Sequence, residues 1–414
     1  MNGKQFGIIA LLGIVIGGLG FLVLKRDQSN WESSSQRIGQ KVLNDFDINA
    51  VTQVTVKTAE AEVNLVKGDG GWTVSERGGY PANFEDVSDL IYKAWDLKVL
   101  QSQKVGASQR PRLELVKPGD GDSSGTWVSF KGKDGSEISS ILLGKEHAQQ
   151  SAPSPMGGMG GGYPNGRYVL PLDVEEGSVA LVSEAFTSVN PEAEGWLNKD
   201  FMRVQKIKRV KVKHPDGGDA FELSREKEGA DGQMAEVDEG ETLDSAKASR
   251  VLGVLSYPSF NDVLSSDSPN DETGLNQAVV ASIDTFEGFH YEVKIGQPEG
   301  GEDYYLSLSV SADLKSEREV VEGESDEDKA KADEEFAESL KTLEEKLAKE
   351  KALEGWIYKV SKWTVEPLVF ERKDLYAEKE EESSGGEADS GGDSPALPPI
   401  PQAINPVLDP LSPQ

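Results

Sequence analysis

The residues to test first are those whose type and spacing could do chemistry. Gly121-Asp-Ser123-Ser-Gly125 satisfies G-x-S-x-G. A nucleophile elbow needs a strand before the serine and a helix after it, so that the hydroxyl stands exposed on a sharp turn. Trp127-Val-Ser-Phe130 follows and alternates like a strand, so the sequence predicts a hairpin turn here. Ser224-Arg-Glu-Lys227 has S-x-x-K spacing without the companion S-D-N and K-T-G motifs. Asp389-Ser390-Gly-Gly has the order of a serine-protease turn, but it sits in a polar tail with no histidine to act as base.

Metal and phosphate readings fare no better. Asp120-x-Asp122-x-Ser124-Gly125 begins like a calcium loop, yet its twelfth position is Lys131 where a bidentate glutamate is needed. Asp267, Asn270, Asp271 and Glu272 form a second acid-rich loop, interrupted by Pro269. Met156-Gly-Gly-Met159-Gly-Gly-Gly-Tyr163 lacks the helix start and Lys-Ser/Thr of a phosphate cradle. The three histidines, His147, His214 and His290, show neither metal spacing nor a triad neighbour. With no cysteine, thiol catalysis, disulfides and iron–sulfur clusters are excluded. The reading assigns no catalytic residue, no metal ligand and no cofactor.

Composition narrows the partners. The chain has 73 acidic and 43 basic residues, a formal net charge of −30, which repels nucleic acid. Near the N-terminus, Phe6–Leu24 carries no charge over 19 residues, roughly 28 Å as a helix. That length matches a hydrocarbon core of about 30 Å. Lys25-Arg26 follows with no small-x-small cleavage site, so residues 1–26 read as an uncleaved membrane anchor. The short flank before it favours leaving the bulk of the chain outside the cytoplasm. Gly13, Gly17 and Gly20 form a small-residue stripe on which two membrane helices could pack.

The elements that must position any site are written twice. Ile48-Asn-Ala-Val51-Thr-Gln-Val54-Thr-Val56-Lys57 matches Val204-Gln-Lys-Ile207-Lys-Arg-Val210-Lys-Val212-Lys213 at an offset of 156. A second alternating strand follows each, around Val63 and Leu65 and around Phe221 and Leu223. A helix comes next, one starting at Asn83 and presenting Val87, Leu90, Ile91, Ala94 and Trp95. The other starts at Asp244 or Ser245 and presents Ala248, Val251, Leu252 and Leu255. Further strands correspond, ending with Leu181-Val182-Ser183 against Lys359-Val360-Ser361.

The offset rises from 137 at the paired tyrosines, Tyr168 and Tyr305, to 178 at the Val-Ser pair. The second copy has therefore gained a charged insert, which fits residues 313–354. Phe336, Leu340, Leu343 and Leu347 form one apolar stripe within it. Such a helix either lies back on its domain or offers a partner a coiled-coil-like seam. After Tyr376 the tail is acidic, then Gly/Ser-rich, then proline-punctuated, a composition predicted to stay disordered.

The short anchor, the I-x-x-V-x-V pattern, the lone Trp of Gly71-Trp72-Thr-Val74, and Pro81-Ala82 entering a helix together resemble a bacterial family known as domain of unknown function 4340. Trp196-Leu-Asn198-Lys-Asp200-Phe201 also resembles it. The resemblance implies an envelope accessory protein, because members are often encoded beside gliding-type ABC transporter components. It carries over no site residues. The second copy departs from the pattern, with Met234-Ala-Glu-Val237 where the Trp would stand.

These observations predict an α+β chain of two tandem antiparallel-sheet units with packed helices. Its expected divisions are an anchor at 1–26, a linker at 27–44, units at 45–195 and 196–376, and a tail at 377–414. The expected role is a non-enzymatic, extracytoplasmic accessory or scaffold of a membrane protein complex. The alternative is a module binding a saccharide or peptide between the two units. A hydrolase would need a cleft gathering acids or a Ser–His pair.

Overall fold

Alternating aliphatics begin the strand pairing, and the rest of each sheet is laid beside them. The computed structural model describes residues 31–33, 38–121, 123–148, 164–172, 178–218, 220–319 and 323–378. Ten strands form the first sheet: β1 (Trp31–Ser33), β2 (Gln53–Lys57), β3 (Glu62–Gly68), β4 (Gly71–Val74), β5 (Tyr80–Pro81), β6 (Val99–Val105), β7 (Thr126–Lys131), β8 (Glu137–Ala148), β9 (Pro164–Pro171) and β10 (Ser178–Val182). Eight form the second: β11 (Ile207–Lys213), β12 (Phe221–Ser224), β13 (Gln233–Met234), β14 (Asp262–Ser265), β15 (Val279–Thr285), β16 (Phe289–Gly296), β17 (Tyr304–Ala312) and β18 (Trp356–Val360). The protein is thus α+β, with two antiparallel sheets and several helices.

The first sheet runs β1-β6-β10-β9-β8-β7-β2-β3-β4-β5, and the second runs β14-β18-β17-β16-β15-β11-β12-β13. Without β1 and β5 at its edges, the first sheet has the order of the second. The registers agree as well. Val54 lies opposite Leu65 and Phe130, and Val210 lies opposite Leu223 and Ile283. Val182 pairs with Arg167 as Val360 pairs with Tyr304. Register also moves one sequence correspondence. Met234 faces Leu223 as Val74 faces Leu65, so Met234 stands at the place of Val74 and not at that of Trp72.

A corresponding helix packs on each sheet. Helix α1 (Phe84–Asp96) is capped by the Asn83 side chain and buries Val87, Leu90, Ile91 and Ala94. Helix α2 (Ser245–Leu252) is capped by Asp244 and buries Ala248, Val251 and Leu252. In each case a later segment closes over the helix start. Asn83 N–H donates to the Trp196 carbonyl at 2.7 Å, and Asp244 N–H donates to that of Leu375 at 2.9 Å. The bridges Ala82–Leu197 and Leu243–Tyr376 sit beside these bonds. Trp196 and Leu197 therefore close the first sheet's layer over the start of α1.

Aromatic rings fill the junction between the sheets. Tyr80, 2% exposed, meets Phe260, Trp356 and Tyr358 edge-on with centroids 5.1–6.2 Å apart. Phe201 lies 4.6 Å from Tyr358 and 5.1 Å from Phe260. Above them the Arg77 guanidinium donates to both Asp262 oxygens, at 2.6 and 2.9 Å. One apolar cluster runs through both sheets as a result. A smaller cluster of Val105, Leu113, Leu115, Leu142, Leu170 and Val179 lies apart from it in the first sheet.

The insert carries helix α4 (Asp326–Lys351), which follows the single-turn helix α3 (Asn270–Thr273). Ser325 caps α4, and its C-terminal half is docked on the second sheet. Leu343 and Leu347 pack against the main core. Glu350, 5% exposed, accepts from Tyr291 Oη at 2.7 Å and from Arg203 N–H at 3.0 Å. Burial, then the adjoining carboxylate, pushes the Tyr291 phenol far above its ordinary pKa, so it remains a donor. Among the described residues no helix is long and apolar enough to cross a membrane. Phe6–Leu24, with Gly13, Gly17 and Gly20, lies outside them.

The filled junction makes a testable demand. Tyr358→Ala removes a fully buried ring shared by both sheets, at an expected cost of roughly 3–5 kcal/mol. In urea, far-UV circular dichroism and tryptophan emission should lose their signals in one coincident transition for the parent protein. Separate transitions would mean that the two sheets fold independently.

Candidate functional site

A candidate site lies on the second sheet's layer, where Ser259 adjoins the junction residue Phe260. After α2, Gly253 ends the helix and Leu255 adopts φ +57°, a left-handed conformation uncommon for a leucine. Two bonds hold that turn: Val204 N–H donates to the Leu255 carbonyl at 2.9 Å, and Ser256 Oγ donates to the Gly253 carbonyl at 2.7 Å. The turn delivers Tyr257 outward, where it is 82% exposed. Facing it is the short helix α5 (Lys362–Val365), which presents Trp363 at 81% exposure.

Between these rings runs an open groove of about 500 Å³. Val254, Leu255 and Pro367 supply its apolar surface, and Ser256, Ser259, Ser361 and Thr364 supply hydroxyls. Thr364 Oγ1 lies 3.1 Å from Ser361 Oγ and donates to the Ser259 carbonyl at 3.4 Å, which ties the two walls together. Arg250 stands on the rim, where its guanidinium is already held by Glu366 at 2.6 Å and lies over the Phe370 ring. Among the described residues lining the groove there is no carboxylate and no histidine. The surface is suited to stacking a flat or ring-bearing ligand between polar contacts.

The structure places the sequence-derived candidates elsewhere. Phe336 and Leu340 are half-buried on α4, while Leu343 and Leu347 join the core, so the stripe is not a uniform free seam. Ser123 is exposed in a loop ahead of β7, closed by a parallel bridge between Val116 and Ser124. The G-x-S-x-G stretch is therefore this loop and not the hairpin turn expected. Its last glycine is needed for space, because a Cβ on Gly125 would lie 2.3 Å from the Leu143 carbonyl oxygen. Residues 151–163, with Met156 and Met159, lie outside the described residues, as do Asp122 and the tail serine Ser390. Among the described residues no group of three histidine or acidic side chains is placed to hold a metal ion.

All three histidines are engaged. His147 Nδ1 lies 2.9 Å from Asn165 Oδ1, and His214 Nε2 lies 3.1 Å from the Phe370 carbonyl. His290 sits between Asp284, at 2.7 Å, and Asp313, at 3.3 Å. The hydrogen bond to Asp284 raises the imidazole above its ordinary pKa; burial opposes this, and the charges of Asp284 and Asp313 reinforce it. Burial pushes the Asp284 carboxyl up, but bonds from His290 and Arg209 outweigh it and hold the carboxyl below its usual range.

The sequence reading passed over Tyr257 and Trp363, since neither belongs to a motif. The available signal was two aromatics beside turn residues, in Ser256-Tyr257-Pro258-Ser259 and Ser361-Lys362-Trp363-Thr364.

Two measurements follow. Tyr257→Ala and Trp363→Ala should each change unfolding free energy by no more than about 0.5 kcal/mol, because exposed side chains carry little stability. A loss above 2 kcal/mol in urea denaturation would mean that the rings serve packing. For His290, the raised value in the fold means that protonation stabilises it. That contribution is complete below the ordinary value of 6.5 and disappears as pH rises through the raised one. An NMR titration should give a His290 midpoint above 6.5, and Asp284→Asn should bring it down; an unchanged midpoint would remove Asp284 as the cause.

Residues 156–278 match the family described as Domain of unknown function (DUF4340), the family that the sequence patterns resemble. The matched segment runs through the junction aromatics Phe201 and Phe260 and includes Tyr257. No curated protein and no solved structure matches the chain.

Proposed function

We propose that this protein is a membrane-anchored, non-enzymatic accessory or scaffold subunit of a cell-envelope complex. In this reading its body stands outside the cytoplasm and docks a partner in the Tyr257–Trp363 groove. The observation that carries the proposal is that pair of rings, each more than four-fifths exposed and flanking a groove that, among the described residues, is lined by hydroxyls, Arg250 and apolar side chains. Large aromatics free on a surface are the side chains that anchor interfaces. The uncharged run Phe6–Leu24 supports the anchor, and the resemblance read from the sequence patterns is what suggests an ABC-type envelope transporter as the complex. The shared strand order and register of the sheets support an internal duplication, with α4 carried by an insert in the second copy.

A second reading, a saccharide- or peptide-binding module, uses the same groove. The junction that would have been its cleft is occupied by Tyr80, Phe201, Phe260, Trp356 and Tyr358.

Crosslinking in intact membranes, followed by mild-detergent pull-down, separates these readings. The full chain should retain a membrane-protein partner, and Tyr257→Ala with Trp363→Ala should reduce its recovery at least fivefold. Recovery of no partner, with a soluble glycan or peptide shifting the tryptophan emission of the parent and not of Trp363→Ala, would favour the binding module.

A further inference from the structure

A second group of exposed apolar side chains gathers at the opposite end of the strand order. Residues 38–42 run along the chain leaving α1, with Gly39 N–H donating to the Val99 carbonyl, Val99 N–H to that of Gln40, and Val42 N–H to that of Leu97. Ile38 is 58% exposed and Leu100 50% exposed on this ladder. Beside it Tyr92, 56% exposed, lies 5.7 Å from the Trp95 ring, and Lys41 Nζ stands 3.2 Å from the centroid of Trp95. Lys41 and Lys98 face each other across the ladder, and Lys104 is exposed further along β6. Asp96 lies 3.4 Å from Lys98, and Asp45 and Asp47 line the hollow that Lys41 and Trp95 share. Three lysines thus stand among exposed aromatic and aliphatic groups at this edge.

The position of this patch along the chain identifies what it meets. Strand β1 pairs with β6 at the same edge, Trp31 standing opposite Val105. Only residues 25–30 separate Leu24, the end of the uncharged run, from Trp31. Such a tether spans at most about 25 Å when fully extended. The sheet edge therefore cannot stand farther than that from the end of the proposed anchor. Tyr and Trp beside Lys is the composition that settles at the boundary of hydrocarbon and headgroups.

We propose that the edge carrying Ile38, Lys41, Tyr92, Trp95 and Leu100 rests on the lipid surface and fixes the orientation of the body. The proposal rests on the anchor reading above. Its partner is the headgroup and upper acyl region of the bilayer, with the lysines meeting lipid phosphates. The edge formed by β13, where Val237 is 46% exposed, is the far end of the second sheet and points to no such contact.

The absence of cysteine makes a single label unambiguous. Full-length Leu100→Cys and, separately, Ile38→Cys and Val237→Cys would carry a polarity-sensitive fluorophore. Each would be reconstituted into phosphatidylcholine vesicles with or without phosphatidylglycerol, and quenched by lipids brominated near the headgroup end of the acyl chain. Labels at positions 38 and 100 should be quenched at least threefold more than the label at 237. Equal quenching at all three positions, in protein that floats with the vesicles, overturns the lipid-facing edge and leaves the anchor standing. Protein that does not float with the vesicles overturns the anchor, and the edge proposal with it. A dependence on phosphatidylglycerol would assign the lysines their role, and Lys41→Gln with Lys98→Gln should then remove that dependence.

Discussion

The contact on which the rest of the structure depends is the aromatic junction around Tyr358. A sheet ending in β14 would present unpaired backbone and apolar side chains on its open side, a template for unwanted pairing. Here Arg77 clamps Asp262 of that strand, and the Tyr80 ring, delivered by the turn after β4, covers Trp356 and Tyr358. The pair Arg77–Asp262 is about three-quarters buried on both sides, so its bidentate geometry serves mainly to fix the angle between the layers while the rings supply the burial. Lys199 adds to this roof, bonded to the Asn261 carbonyl and lying over the Phe260 ring, with burial lowering its pKa.

That junction also explains what differs between two sheets of one strand order. The first sheet's counterpart of the β14 edge is β6, and β1 pairs along it instead of another layer. Among the described residues the second sheet has no strand beyond β13, and the C-terminal segment covers that region. Arg372 donates to the Glu236 carbonyl and pairs with Asp238, and Tyr376 Oη accepts from Asp238 N–H. Each open end is thus closed by chain that lies before the first layer or at the end of the second. The same sheet order can then occupy two different positions without leaving a long bare edge.

The sequence revealed the strands in which every second residue is aliphatic, and their correspondence held through registers that it could not display. Val54 and Val210 illustrate this, since both lie at the centre of their sheets with aliphatic or aromatic neighbours on each side. Strand β6 was not legible. Its Val-Leu-Gln-Ser-Gln-Lys-Val buries Val99, Ser102 and Val105, a spacing of three that resembles neither clean alternation nor a helix stripe. Strand β14 offers only Val263 as a buried residue and is defined by its neighbours. The groove was hidden for a related reason: it is assembled from turns about a hundred residues apart, and its two aromatics carry no periodicity.

Exposure is what makes that groove informative. A tryptophan or tyrosine held mostly in water gives up the burial that normally stabilises it, and most large rings in this chain avoid that state. Trp72, Trp196, Phe130 and Phe289 are all less than a tenth exposed. Tyr257 could turn inward only by abandoning the Leu255 turn, whose left-handed backbone and two hydrogen bonds hold it outward. Trp363 begins a helical turn whose inward side is already taken by Val365 and Leu368. Neither ring is therefore a core residue that failed to pack. The backbone is arranged to keep both in solvent, on opposite walls of a groove tied by Thr364, and a ligand or partner entering there would recover the burial that folding leaves unused.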